Sequence, residues 1–500
     1  MKNKLGASLT LILIILIAST LGCVDEKSAE QTGNTTIQSP VSTTSTTSSP
    51  TTTTSTTSTA ETATSAMKKP KMTFPKGYSE FGGWKDMKVE GTGYFRIEKI
   101  NGVFWLVDPE GYIFISKGVN AVNYLGDHSP KLGYSPYYIN VIKKYGGAEG
   151  WINVTTQRFV EWGFNTIGAW SSPELHEYLP YTLLLDIGSQ YGFNWEHGTI
   201  PDIFSPNFEE YVEKAVSFKV KPVKDDPLLI GYFTDNELRW GPDWRSSNHL
   251  LDDFIKLPAD APGKKVAVDV LKEVFNGSIE TINEVLGTNY TSFDELLGYT
   301  GDLPSTGPFN EARREFVRRY AERYFSVVVG AIRKVDPNHL ILGPRFAVSP
   351  FIRPPEIVFE VAGKYVDVIS LNLYNFQIAP KEYLNRIYEL SGKPIMITEF
   401  SFRARDSGLP NTVGAGITVD TQKERAKYTR RFITSFMELP YAVGYHWFKW
   451  SDEPKEGRFD GENSNYGLVN NEDEPYTEMV EMFKSLNREI EVIHMKGGES

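Results

Sequence analysis

The 500-residue chain holds a single cysteine, Cys23. One thiol excludes an internal disulfide framework, a multi-cysteine zinc site and a cysteine-bound iron–sulfur cluster. Histidine is also sparse, with seven in all. No two of them form an HExxH pair, so neither a catalytic metal nor any other cofactor is expected. Positive charge is in deficit: 52 Lys and Arg against 63 Asp and Glu leave −11, nearly all of it beyond residue 66. That balance argues against a nucleic-acid partner and against an anionic membrane surface. Long hydrophobic runs are missing too. The most apolar stretch, Leu9–Ala18, falls short of the roughly 20 residues that a spanning helix needs. What the chain does have is aromatic residues, 29 Phe, 26 Tyr and 10 Trp. They supply apolar surface for a large core and exclude wholesale disorder.

The first residues read as an address. Lys2 and Lys4 precede the apolar run, and Ser19-Thr20-Leu21-Gly22-Cys23 follows it. A basic start, a short apolar core and small residues make a secretory signal, and a cysteine directly after Gly22 resembles a lipobox. Residues 1–22 are therefore expected to be a lipoprotein signal peptide with Cys23 as the lipidated residue. The product would be a secreted cell-surface lipoprotein, held on the outer face of the cytoplasmic membrane only through that anchor. Residues 23–66 would be a stalk. From Gln31 to Ala66 about two-thirds of the side chains are Ser or Thr, too polar to offset the entropy of ordering, so the stalk is expected to be disordered.

Residues 67–500 read as one folded domain. Asn101-Gly102, set between Gly93–Ile100 and Val103–Val107, is a strong hairpin signal. Eight short apolar runs follow: Ile113–Val119, Asn165–Trp170, Thr182–Ile187, Leu229–Thr234, Leu340–Pro344, Val366–Leu373, Ile395–Thr398 and Val443–Phe448. Helical patterns separate them. Phe316, Tyr320, Tyr324, Val328 and Ile332 recur every four residues before Asp336-Pro337, and another helix is expected over Thr421–Glu438. Apolar strands alternating with amphipathic helices imply a parallel sheet covered on both faces. Eight such units predict an α/β fold of the (β/α)8 (TIM) barrel type, with an N-terminal β-hairpin. A long insertion is expected after strand 4, from Gly241 to about Pro308. No glycine-rich phosphate loop follows the first strand, which disfavours an open nucleotide-binding sheet.

In such a barrel the residues ending each strand meet at one mouth. They are Asn120, Trp170, Asn236, Glu237, Arg345, Asn372, Tyr374, Glu399, His446, Trp447 and Lys449. Two carboxyls among amides, phenols and indoles make the working kit of a glycosidase. Glu237 and Glu399 are the candidate catalytic pair, and the other nine are candidate sugar contacts. Asp460, Glu462 and Asn463 lack the alternating ligand ladder of a calcium loop.

The segments Gly231-Tyr232-Phe233-Thr234-Asp235-Asn236-Glu237-Leu238 and Ile397-Thr398-Glu399-Phe400-Ser401-Phe402 resemble those of β-agarase-like glycoside hydrolases. So do His446-Trp447-Phe448-Lys449-Trp450 and Asp460 to Gly467, together with the entry from Phe95 to Gly111. The resemblance implies a retaining barrel enzyme. Glu237 would be the acid/base, Glu399 the nucleophile and Asn236 the partner of the sugar 2-hydroxyl. Tyr374 would position Glu399, and Trp447 would floor the subsite of the reacting sugar. The expected function is hydrolysis of a neutral β-linked poly- or oligosaccharide, of β-galactan (agarose-like) or β-glucan type, by double displacement. Four cations near the mouth, Arg239, Arg345, Arg403 and Lys449, would suit an anionic sugar unless carboxylates pair them locally. A non-catalytic sugar-binding lipoprotein and a transglycosylase with the same site are the competing readings. No protein partner is implied.

Overall fold

Short runs of Val, Ile, Leu and aromatic residues with no polar alternation can be strands only where both faces are covered. The computed structural model of the protein describes residues 68–69 and 71–497. In it such runs form β1 (Ser116–Val119), β2 (Thr166–Ile167), β3 (Tyr181–Leu184), β4 (Leu229–Phe233), β6 (Ile369–Leu373), β7 (Ile395–Glu399) and β8 (Ala442–Trp447). The remaining strand, β5, runs as Leu340–Gly343 and Phe346–Val348 on either side of Pro344 and Arg345. Neighbours pair in parallel from β1 through β4 to the first half of β5, and from its second half through β6 and β7 to β8. β8 pairs with β1, Trp447 lying opposite Val119. The nine-segment sheet therefore curls until its two ends are the two halves of one strand, the strand order of an eight-stranded barrel.

Helices cover the outside. The longest, α1 (Gly307–Val335), buries Phe316, Tyr320, Tyr324, Val328 and Ile332 completely. It stops at Asp336, whose extended backbone precedes Pro337. α2 (Gln422–Met437) starts at Thr421, whose side chain accepts the amide of Glu424, and it packs on α3 (Thr477–Lys496). Between β4 and α1 the chain makes four short helices: Leu250–Phe254, Pro262–Val274, Ile279–Leu286 and Phe293–Leu296.

The first expected strand is divided. Tyr112–Phe114 joins an antiparallel sheet in the order Trp84–Lys88, Tyr112–Phe114, Val103–Val107, Arg96–Ile100, and only Ser116–Val119 enters the barrel. One apolar run serves two sheets, with Ile115 the single residue between them. Asn101 and Gly102 form the turn with φ of 51° and 85°, a left-handed pair that suits Asn-Gly. Cys23 and the stretches expected to be a signal peptide (1–22) and a stalk (23–66) lie outside the described residues. Among the described residues no helix is long and apolar enough to cross a membrane.

Candidate active site

Residues with left-handed backbone follow β1 to β4 and β6 (Ala121, Trp170, Asp186, Glu237 and Asn375), and Arg345 takes the same conformation between the two halves of β5, with φ between 45° and 66°. Each such non-glycine residue costs roughly 1–2 kcal/mol and persists only where its surroundings fix it. The five that follow strands turn into the mouth at the carboxyl ends of the strands, and Arg345 lies buried beneath it. There a cavity of about 1240 Å³ opens, lined from the loops after all eight strands.

Glu237 and Glu399 face this cavity from β4 and β7, only 8% and 5% exposed. Their partners differ in kind. Glu399 Oε2 accepts from the Tyr374 hydroxyl at 2.7 Å, and its Oε1 lies 3.0 Å from the Arg345 guanidinium. Glu237 meets only neutral donors, Asn372 Nδ2 at 3.0 Å and Trp195 Nε1 at 2.9 Å. The Asn372 amide is oriented from behind, because Thr398 donates to its Oδ1 at 2.9 Å. Burial pushes the Glu399 carboxyl up to about 7, against the pull of Arg345 and with a further push from Glu237. Burial beside Glu399 raises the Tyr374 phenol well above its usual range, so it acts as a donor only.

Arg345 is a buried strut. Its Nη1 donates to Asn236 Oδ1 at 2.8 Å and its Nη2 to the Thr398 carbonyl at 2.9 Å. Its guanidinium lies 4.4 Å from the centre of the Trp170 ring. With Arg345 and Asn372 Nδ2 (3.1 Å) both on its Oδ1, Asn236 keeps its own Nδ2 for the cavity. Beneath this layer Asp235 accepts from the amides of Gly188 and Ser189 and from the Tyr324 hydroxyl, which ties the loop after β3 to β4.

Of the expected sugar contacts, Asn236, Tyr374, Asn372, Trp170 and Lys449 line the cavity. Four do not. Trp447 is fully buried, donates to the Tyr466 carbonyl and packs edge-on to Phe400 and Phe483. Successive residues of a strand point to opposite faces, and it is the next one, Phe448, that reaches the cavity. His446 is buried inside the barrel against Ser116 Oγ at 2.8 Å, and burial with the nearby Arg345 holds its imidazole neutral, near 3. Asn120 is buried, donating to the Thr398 carbonyl and accepting from the Ala169 amide. Arg345 touches protein groups only, as described above.

The other expected cations are also occupied. Lys449 pairs with Asp127 and lies 3.8 Å from Glu453. Arg239 pairs with Asp253, whereas Arg403 donates to the Gly416 carbonyl and Ser464 Oγ and has no carboxylate partner. The stretch around Asp460 and Glu462 is clamped by Arg458. Sequence reasoning missed Trp195, Trp244, Phe448, Phe459 and Arg458, all of which line the cavity. The available signal was tryptophan in the polar, aperiodic loops after strands 3 and 4, where an aromatic residue has no core to join.

No protein-family model matches the chain. β-Agarase B of Vibrio sp. (strain JT0107) is 31% identical over 497 residues, covering 84% of this chain and 51% of its own. β-Agarase A of the same strain is 33% identical over 385 residues, 70% of this chain and 37% of its own. The chain thus spans half the length, or less, of these curated relatives. Among solved structures, the agarase AgWH50C superposes with a TM-score of 0.73 at 30% identity, covering 85% of this chain and 68% of that one. An exo-β-agarase superposes with a TM-score of 0.75 at 28% identity, covering 86% and 69%.

Proposed function

The chain belongs to the β-agarase-like glycoside hydrolases, and from that premise we propose that it hydrolyses a neutral β-linked galactan of the agarose type with retention of configuration. One observation carries the reading. Two carboxyls on β4 and β7 share one cavity, and only Glu399 has a cation at its side. When the pair holds a single proton, the guanidinium makes Glu399 the better seat for the charge and leaves the proton to Glu237.

Glu237 then donates its proton to the glycosidic oxygen while Glu399 attacks the anomeric carbon. The carbon–oxygen bond breaks, the leaving sugar departs as an alcohol, and a glycosyl ester forms on Glu399. Esterification removes the charge next to Glu237, which now takes a proton from water as that water attacks the anomeric carbon. The second displacement frees the Glu399 carboxylate and returns the proton to Glu237. Asn236 Nδ2 would donate to the sugar 2-hydroxyl, a bond that strengthens in the transition state, and the occupied Oδ1 of Asn236 supports this role. Trp170 and Phe448 offer ring faces to the sugar.

Glu399→Gln should abolish turnover while leaving the unfolding transition in place, and a slow 2-fluoro glycoside should label Glu399 in the wild type. A label on any other residue overturns the assignment. The reading of residues 1–66 belongs to the same proposal: the enzyme works at the cell surface on a lipid anchor at Cys23, and Cys23→Ser should release it from membranes. Continued membrane retention would refute the anchor.

A further inference from the structure

We infer that Trp244, backed by Trp195 and Arg245, is the binding site for the sugar unit on the leaving-group side of the cleaved bond; the inference rests on the function proposed above. Six tryptophans of this domain, Trp105, Trp151, Trp162, Trp240, Trp447 and Trp450, are essentially buried. Trp244 is 48% exposed and lines the cavity. An exposed aromatic ring on the wall of a ligand-sized cavity is a candidate contact for what binds there.

The surroundings of Trp244 supply one. Its ring centre lies 6.3 Å from that of Trp195, inclined at 62°, and Trp195 Nε1 is the donor to Glu237 Oε2. The two indoles therefore continue the wall that begins at the proposed acid. Arg245 stacks on Trp244 with its guanidinium 4.1 Å from the ring centre. Its charge is already engaged, by Asp243 at 2.6 and 3.0 Å and by the carbonyls of Trp195 at 3.1 Å and Glu237 at 2.9 Å. Its side chain is only 3% exposed. A buried, fully paired arginine is not poised to take a ligand. It fixes the indole against the loops after β3 and β4 and against the backbone of Glu237 itself. Only the opposite face of Trp244 remains for a partner.

Geometry says which partner. The glycosidic oxygen must come within hydrogen-bond reach of Glu237. The atoms beyond that oxygen belong to the leaving sugar, on the side of Glu237 away from the nucleophile. Asn372, oriented by Thr398 of β7, donates to Glu237 Oε1, whereas Trp195 donates to the other oxygen, Oε2, so the tryptophan wall adjoins the carboxyl oxygen that Asn372 leaves free. The C–H face of a neutral pyranose is the natural occupant of an uncharged aromatic face.

The test separates leaving-group contacts from glycone contacts. Wild type, Trp244→Ala and Trp244→Phe are assayed on an agarose oligosaccharide and on the β-glycosyl fluoride of the same glycone, whose leaving group is a single atom. Oligosaccharide affinity is measured separately on the Glu399→Gln background by calorimetry. Trp244→Ala should lose about tenfold in kcat/KM on the oligosaccharide, mostly through KM, and a similar factor in affinity. Its rate on the fluoride should stay at the wild-type value, and Trp244→Phe should recover most of the loss. Equal losses on both substrates, or no loss on either, would overturn the inference while the hydrolase reading stood. A wild type that neither binds nor cleaves the oligosaccharide would overturn both.

Discussion

At the scale of single residues, one guanidinium organises the chemistry of the mouth. Arg345 holds Asn236 and the Thr398 carbonyl, underlies Trp170 and lies 3.0 Å from Glu399. The groups facing Glu399 are Arg345 from β5, Glu237 after β4, the Tyr374 phenol after β6, and Arg458 farther out. Burial carries Glu399 up to about 7 even with Arg345 in place. A nucleophile must be ionised and the acid must keep its proton, so kcat/KM should rise with pH as Glu399 ionises, near 7, and fall again once the proton on Glu237 is lost. Arg345→Met removes the nearest charge that favours the ionised form. Its acid limb should move up by a unit or more, and its rate at pH 7 should fall about fivefold or more. Arg345→Lys keeps a charge but not the planar fork that spans Asn236 and Thr398. Its limb should stay near the wild-type position while KM rises. A pH–rate profile of each variant checks this, and an unmoved limb in Arg345→Met would show that the arginine only supports the fold.

At the scale of strands, the barrel interior is built by pairing large residues with small ones. A Cβ on Gly118 of β1 would stand 2.4 Å from the ring of His446 on β8, so only glycine leaves room for that imidazole. His446→Ala should leave a cavity, with the Ser116 hydroxyl keeping only its bond to Thr166 Oγ1 at 2.9 Å. The expected cost is roughly 2–4 kcal/mol in denaturant unfolding, with KM unchanged at a temperature where the variant is folded. A KM effect without loss of stability would contradict the placement of His446 below the cavity. Composition could not show that placement, because a histidine at a strand end reads alike whether it points up or down. The strands and α1 were legible because their apolar periods leave no second arrangement. The two carboxyls were legible because the strands ending in Glu237 and Glu399 must open on one mouth. Trp447 against Phe448 was not, since adjacent aromatics on a strand exchange faces with a one-residue change of register. Trp195 and Trp244 sit in loops with no period at all, and only tertiary packing brings them to the acid.

At the scale of the whole molecule, charge bears on the proposed preference for a neutral galactan. The chain carries −11, and its cavity is lined by Asp127, Asp186, Glu196, Glu237, Glu399, Asp460 and Glu462 against Lys449 and Arg458. Lys449 already lies with Asp127 and Glu453, and Arg458 with Asp460, Glu462 and Glu453. Arg345 is spent on Glu399. Breaking such a buried pair to seat a sulfate or uronate would strand a carboxylate at a cost of several kcal/mol. A neutral sugar makes no such demand. The excess negative charge also repels a polyanion at long range, within a Debye length of about 10 Å at 0.1 M salt. Matched neutral and sulfated galactan oligosaccharides, assayed at low and high salt, should therefore differ at least about tenfold in kcat/KM in favour of the neutral series. The gap should narrow but not close as salt rises, because screening removes the long-range repulsion and leaves the buried pairs intact. A preference for the sulfated series that fades with salt would mean that Lys449 or Arg458 releases its carboxylates for substrate, and the neutral reading would fall.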